Sequence, residues 1–224
     1  MNQSDLRPAG QFASAYGFKS VVYGPPGGGK TPIINTAPRP VLLACEPGLL
    51  SMRGSKVPTY AADTGAKIDD FFKWAFHSAE TKNFDTIAVD SVSQMAEIYL
   101  QEAIKTKKHG LQAYGDMAKN VMDHLRGLYF LQNKHTYLIA KEQIVIESGM
   151  SVRRPYFPGQ QLPTEVPHLF DAILHLAKHN VPSVGQVVSF LCAQQIDTMA
   201  RDRSGRLSEY EQPNFGDLVR KAFQ

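Results

Sequence analysis

Four short runs of apolar and β-branched residues punctuate the first two-thirds of the chain: 18–23 (FKSVVY), 40–44 (PVLLA), 84–89 (FDTIAV) and 136–140 (TYLIA). Each is strand-like in length and composition. Their nearly continuous apolar character suits a parallel sheet covered on both faces. Between them, apolar positions recur at helical spacing. Residues 68–79 carry Phe71, Phe72, Ala75 and Phe76; 92–105 carry Met95, Ile98, Tyr99 and Ala103; 117–131 carry Val121, Leu125 and Leu128. This alternation predicts a three-layer α/β fold with a mainly parallel sheet.

The pattern changes after residue 140. Segments 170–177 and 186–193 read as two strands joined by the polar stretch 178–185, an antiparallel hairpin over 170–193 that extends the sheet. Residues 144–166 are rich in Gly, Pro and Gln, include Arg153 and Arg154, and are expected to form a long loop. Asn214 can cap a short C-terminal helix over 214–223. With no internal repeat or low-complexity tract, one domain over 1–224 is expected, residues 1–16 forming an N-terminal arm.

Hydrophobic residues make up 43% of the chain and charged ones 20%, which excludes intrinsic disorder. No run approaches the roughly 20 apolar residues of a membrane span. The first residues lack the basic-then-apolar order of a secretory signal. Cys45 and Cys192 both lie in apolar runs and read as reduced core residues, so a cytoplasmic protein without membrane contact is expected. The net charge of +3 permits nucleic-acid binding without arguing for it.

The chemistry begins where the first strand ends. Gly24, Pro25, Pro26, Gly27, Gly28, Gly29, Lys30 and Thr31 match G-x-x-x-x-G-K-S/T at every fixed position. Glycines let the backbone wrap a phosphate with its N–H groups turned inward. Lys30 is placed to neutralise the β- and γ-phosphates of ATP, and the Thr31 hydroxyl to ligate Mg²⁺. A helix starting here would add its positive end. Pro32 is tolerated in a first turn, while Pro38 and Pro40 require that helix to be short.

Such a site needs a carboxylate at the end of a neighbouring strand to hold the metal. Asp90, closing the run 84–89, supplies it. Hydrolysis also needs a group to orient or deprotonate water, and Glu46 ends the strand 40–44 where ligands bind in open α/β sheets. Asp90 is followed by Ser91 rather than by a second acid, which strengthens Glu46. His175 and His179 have the four-residue spacing of a helical metal pair, but His175 reads as strand and no third ligand is apparent.

With these residues in place the chain resembles the RecA-like ATPases, in particular short single-core versions encoded by bacteriophages and implicated in recombination and single-strand annealing. The resemblance rests on the phosphate loop, on LLACE (42–46), IAVDS (87–91) and ARDRSG (200–205), and on 155–176 with Pro158-Gly159 and Phe170-Asp171. It implies a RecA-like P-loop core, with Glu46 as the water-activating glutamate and Asp90 as the Mg²⁺ carboxylate. It places a γ-phosphate sensor in Lys141-Glu142-Gln143, either Gln143 or Glu142. It implies that Arg201 and Arg203 reach a neighbouring subunit's γ-phosphate within a homo-oligomeric ring or filament; in an extended segment both would face one side.

The same resemblance implies two DNA-facing loops. One spans 106–115 and is flanked by Lys105, with Lys107, Lys108 and His109 inside it and Tyr114 nearby. The other holds Arg153 and Arg154 beside Tyr156 and Phe157. Basic groups that track phosphates, interleaved with rings that stack on bases, suit single-stranded DNA. The expectation is an ATPase acting on single-stranded DNA in recombination or annealing, its turnover stimulated by DNA, with a single-strand-binding protein as a further partner. The alternatives are a small-molecule P-loop kinase and a nucleotide-gated annealing or loader protein whose hydrolysis is incidental.

Overall fold

The computed structural model describes residues 6, 8–106 and 109–224. Six parallel strands form the centre of the sheet, in the order β7-β1-β5-β4-β2-β3: β7 (Ala172–Val181), β1 (Lys19–Tyr23), β5 (His135–Glu147), β4 (Thr86–Asp90), β2 (Pro40–Ala44) and β3 (Thr59–Ala61). Antiparallel strands β8 (Gly185–Leu191) and β10 (Tyr210–Glu211) continue it beyond β7. The short β9 (Arg201–Asp202) pairs with the amino-terminal half of β7. The fold is thus α/β with a mostly parallel central sheet and antiparallel additions.

Alternation along each strand divides the core into two layers. Val21, Tyr23, Val41, Leu43, Ile87, Val89, Leu138 and Ala140 face one side. There they meet α2 (Gly65–His77), α3 (Val92–Thr106), α4 (Gly110–Phe130) and α5 (Gln161–Leu169). Val22, Leu42, Ala44, Ala88, Tyr137, Ile139 and Leu174 face the other side, against Phe215, Leu218 and Val219 of α6 (Phe215–Ala222). Burial on both faces is why these strands read as unbroken apolar runs. Asn214 caps α6 as expected, accepting from the Asp217 N–H at 3.2 Å. Cys45 and Cys192 are buried free thiols. Among the described residues no helix is long and apolar enough to cross a membrane.

Segment 144–166 is not a long loop. β5 runs on to Glu147, turns through Ser148 and Gly149, and returns as β6 (Met150–Tyr156), with Glu147 opposite Met150. Ser148 and Gly149 have φ of 50° and 81°, the paired positive values that a two-residue turn of matching twist demands. α5 follows, holding Pro163 in its first turn, where no N–H is needed, and Pro167 inside it. Residues 178–185 are also mostly strand: β7 and β8 extend until Val181 faces Gly185. β3, β10 and helix α1 (Ala9–Tyr16) were not expected.

Arg201 and Arg203 do face one way, as an extended segment requires, but toward their own chain. Arg201 Nη2 donates to the carbonyls of Pro167 and Phe170, the latter at 2.7 Å. Arg203 donates to His168 O at 2.5 Å and Leu169 O at 3.4 Å. Together they satisfy the carbonyls that α5 leaves open at its C-terminal end. Arg201 stands opposite Ile173 of β7, which pairs in turn with Val21, two residues before the end of β1. Replacing Arg201 by Ala is therefore expected to cost about 1–3 kcal/mol of unfolding free energy, because two largely desolvated carbonyls lose their donor. Urea denaturation of the variant measures it.

Candidate active site

The carboxyl ends of β1, β5, β4 and β2 align, with Tyr23 beside Ala140, Ile139 beside Asp90, and Asp90 beside Ala44. A cavity of about 460 Å³ opens there, lined by the phosphate loop, Glu46, Asp90, Ser91, Lys141 and Glu142. Four of the residues expected from the sequence, Lys30, Thr31, Glu46 and Asp90, thus meet in one place.

The loop begins at Gly24, packed against β7 so closely that a Cβ there would lie 2.0 Å from Leu176 O. Gly27 and Gly29 have φ of 73° and 88° and open space where a Cβ would stand. The Gly28 N–H donates to Pro25 O at 3.2 Å, closing the turn. Lys30 Nζ donates to Gly24 O at 2.7 Å and Pro25 O at 2.9 Å, which holds the ammonium across the loop. Burial pulls its pKa below the ordinary lysine value, against the opposing pull of Asp90, Glu142 and Glu46. Lys30 O is anchored in turn by the buried Tyr137 hydroxyl at 2.9 Å. The expected helix after the loop is only a 3₁₀ segment, Pro32–Thr36. Without an α-helical dipole, loop amides and Lys30 are left to hold an anion.

Thr31 Oγ1 donates to Asp90 Oδ2 at 2.6 Å. Burial raises the Asp90 pKa, and the Thr31 hydrogen bond opposes that rise. Two adjacent hard oxygens, one on a carboxylate only 7% exposed, fit Mg²⁺ in ligand type and gain from a cation that offsets the cost of burial. The Asp90 carbonyl also accepts from Cys45 N at 2.7 Å and Glu46 N at 3.2 Å, so the end of β2 is tied to the end of β4. That places Glu46 beside the metal carboxylate. The Ser91 hydroxyl donates to Glu46 Oε1 and accepts from Gln94 N at 3.1 Å, fixing the glutamate's direction. Ser91, passed over in the sequence except for what it is not, is therefore a partner of the site.

The remaining wall comes from β5. Lys141 Nζ bonds Glu97 Oε2 at 2.8 Å and Gln94 Oε1 at 2.9 Å on α3, and Glu142 bonds His175 Nε2 at 2.7 Å on β7. Gln143 does not line the cavity; its amide turns to Pro155 O on β6 at 3.3 Å. Of the sensor pair expected there, only Glu142 is at the wall.

The residues expected to face DNA are distributed differently. Lys107 and Lys108 lie outside the described residues. Lys105 is exposed at the end of α3. Arg153 pairs with Asp197 at 2.7 Å and Arg154 with Glu147 at 2.6 Å, so both arginines of β6 carry carboxylate partners. Phe157 is buried in the core and cannot stack on a base. Tyr156 is half-buried, with its carbonyl accepting from Ser93 at 2.6 Å. The hairpin instead exposes Ile144, Ile146 and Met150.

Comparison with solved structures finds similarity to a KaiC-like protein from the hyperthermophilic archaeon Pyrococcus horikoshii OT3, at 12% identity and a TM-score of 0.45, over 79% of this chain and 78% of that one. No curated protein matches. The family model described as AAA domain matches residues 17–204, a span that runs from the start of β1 past β9 and includes every residue lining the cavity. By that match the chain belongs to the AAA domain family of nucleotide-binding and nucleotide-hydrolysing P-loop proteins.

Proposed function

We propose that this chain hydrolyses Mg-ATP in the cavity at the carboxyl edge of its sheet and couples that turnover to single-stranded DNA. The observation that carries the hydrolytic reading is the 2.6 Å contact between Thr31 and Asp90, with Glu46 tied alongside through Ser91. Loop amides and Lys30 bind the β- and γ-phosphates. Thr31 and Asp90 hold Mg²⁺, which supplies charge compensation on the phosphate oxygens when bound. Glu46 orients a water and accepts its proton. Within the single chain Arg201 and Arg203 bond α5 carbonyls, and their reach to a neighbouring subunit's γ-phosphate stays a proposal for the oligomer.

Lys30→Ala tests the site. It is expected to weaken binding of a fluorescent ATP analogue at least tenfold while circular dichroism is unchanged, because the Lys30 ammonium donates to loop carbonyls and the main-chain bond from Tyr137 is kept. A variant that holds nucleotide with the parent's affinity refutes the assignment. Release of inorganic phosphate with no phosphorylated small molecule separates hydrolysis from a kinase reaction.

Support for the DNA reading comes from continuity. The strand that forms the cavity wall at Lys141 and Glu142 runs directly into the β5–β6 hairpin, so a polymer held by the hairpin is mechanically joined to the nucleotide. Exposed Ile144 and Ile146 offer an apolar surface that the faces of unpaired bases could cover, whereas a duplex presents a charged backbone. Turnover that is indifferent to poly-dT removes this part of the proposal and leaves the ATPase standing.

A further inference from the structure

Behind the cavity wall, a line of polar side chains crosses from β5 to the outer hairpin. Glu142 Oε2 meets His175 Nε2 at 2.7 Å; His175 Nδ1 meets His179 Nε2 at 3.1 Å; His179 Nδ1 meets Ser189 Oγ at 2.9 Å. His175 is only 4% exposed, in a sheet whose neighbouring positions are apolar. The Tyr23 ring lies 4.9 Å from it, and the Tyr23 hydroxyl is itself fixed by Met199 O at 2.6 Å and Arg153 O at 3.1 Å. The next residue, Leu176, is the one against which Gly24 packs. One strand therefore touches the phosphate loop and grips the opposite wall.

The protons along this line follow from the chemistry of its members. An ionised carboxylate only accepts, so His175 Nε2 must donate to Glu142. A neutral imidazole then accepts at Nδ1, which requires His179 Nε2 to donate, and His179 Nδ1 in turn accepts from the Ser189 hydroxyl. Burial lowers the pKa of both histidines, in keeping with the neutral chain. Every ring nitrogen is satisfied, each ring in a single orientation. Core packing alone would not require so complete a network, and it ends on a carboxylate at the nucleotide cavity.

We infer that His175 is a positioning residue for nucleotide turnover. It holds the Glu142 carboxylate at the cavity wall, where that group orders water opposite Glu46, and through His179 and Ser189 it ties the wall to the β7–β8 hairpin. The inference rests on the ATP site proposed above, and its tests separate the two.

In His175→Phe the ring volume is kept but the donor to Glu142 is lost. The turnover number is expected to fall roughly tenfold to a hundredfold, with the KM for ATP within about twofold of the parent. In His175→Gln the amide nitrogen stands near the lost Nε2 and can still donate to Glu142, so most of the turnover should return. A residue that merely filled space would give neither the split between kcat and KM nor the rescue. Equal turnover in His175→Phe and the parent, or a Gln variant no better than Phe, overturns the inference while leaving nucleotide binding at Lys30 intact.

Should His175→Phe fail to fold, the parent protein decides. Long-range ¹H–¹⁵N spectra of ¹⁵N-histidine-labelled protein should show His175 and His179 as neutral Nε2–H tautomers, and His175 should shift when Mg²⁺ and a slowly hydrolysed ATP analogue are added. An Nδ1–H tautomer at His175, or resonances unmoved by an analogue that demonstrably binds, overturns the inference. Loss of analogue binding in the parent would sink the ATP reading instead.

Discussion

Glu46→Gln is expected to lower the turnover number by about 10²- to 10⁴-fold, the range attached to losing a positioned general base. Nucleotide affinity should change little. The glutamate does not touch the phosphate loop; its contact is the Ser91 hydroxyl, and a glutamine carbonyl can accept the same hydrogen bond. Main-chain bonds from Cys45 and Glu46 to Asp90 O are untouched, so the side chain keeps its place beside the metal carboxylate. What disappears is the capacity to take a proton from water. Single-turnover kinetics, with analogue binding measured in parallel, isolate that loss. A Gln variant that turns over at the parent's rate would remove Glu46 from the chemistry and leave Glu142 as the remaining carboxylate at the wall without a lysine or metal partner.

The largest effect on the fold is expected at the start of the loop. Gly24→Ala places a methyl 2.0 Å from Leu176 O and 3.0 Å from Leu176 C, against backbone atoms of a central parallel strand that cannot step aside. Its φ of 158° adds to the strain. A loss of roughly 3–5 kcal/mol follows from overpacking of this severity, enough to remove much of a domain's stability. Gly27→Ala is the matched control. It has a positive φ of 73° but nothing within 4 Å of the new methyl, so only the left-handed backbone penalty of about 1–2 kcal/mol applies. Guanidinium denaturation of the two variants measures the difference. Equal midpoints would show that β7 is not pressed against the loop as described.

Much of the nucleotide site was legible along the chain because its parts are local. A phosphate loop is a contiguous cradle, and Asp90 and Glu46 each end an apolar run, so strand and side chain are read together. The hairpin at 144–156 was legible in principle: Ser148-Gly149 stands between alternating segments, a turn signal outweighed by the polar Arg153-Arg154 pair and the prolines beyond. α5 was harder. Pro163 and Pro167 argue against a helix locally, and its open carbonyls are satisfied by Arg201 and Arg203, more than thirty residues away.

The arginine pair marks the boundary between local and long-range information. Its spacing specified that two guanidinium groups share a face, and they do; which carbonyls they meet depends on β9 pairing with β7. The Glu142–His175–His179–Ser189 line is of the same kind, since Glu142 and His175 are thirty-three residues apart and are neighbours only because the sheet brings β5, β1 and β7 together. Side-chain type, strand periodicity and loop glycines are properties of a few consecutive residues, and the linear chain determined them. Partners across the sheet are set by strand order and register, which arise from burying both faces at once, and these only the tertiary structure decided.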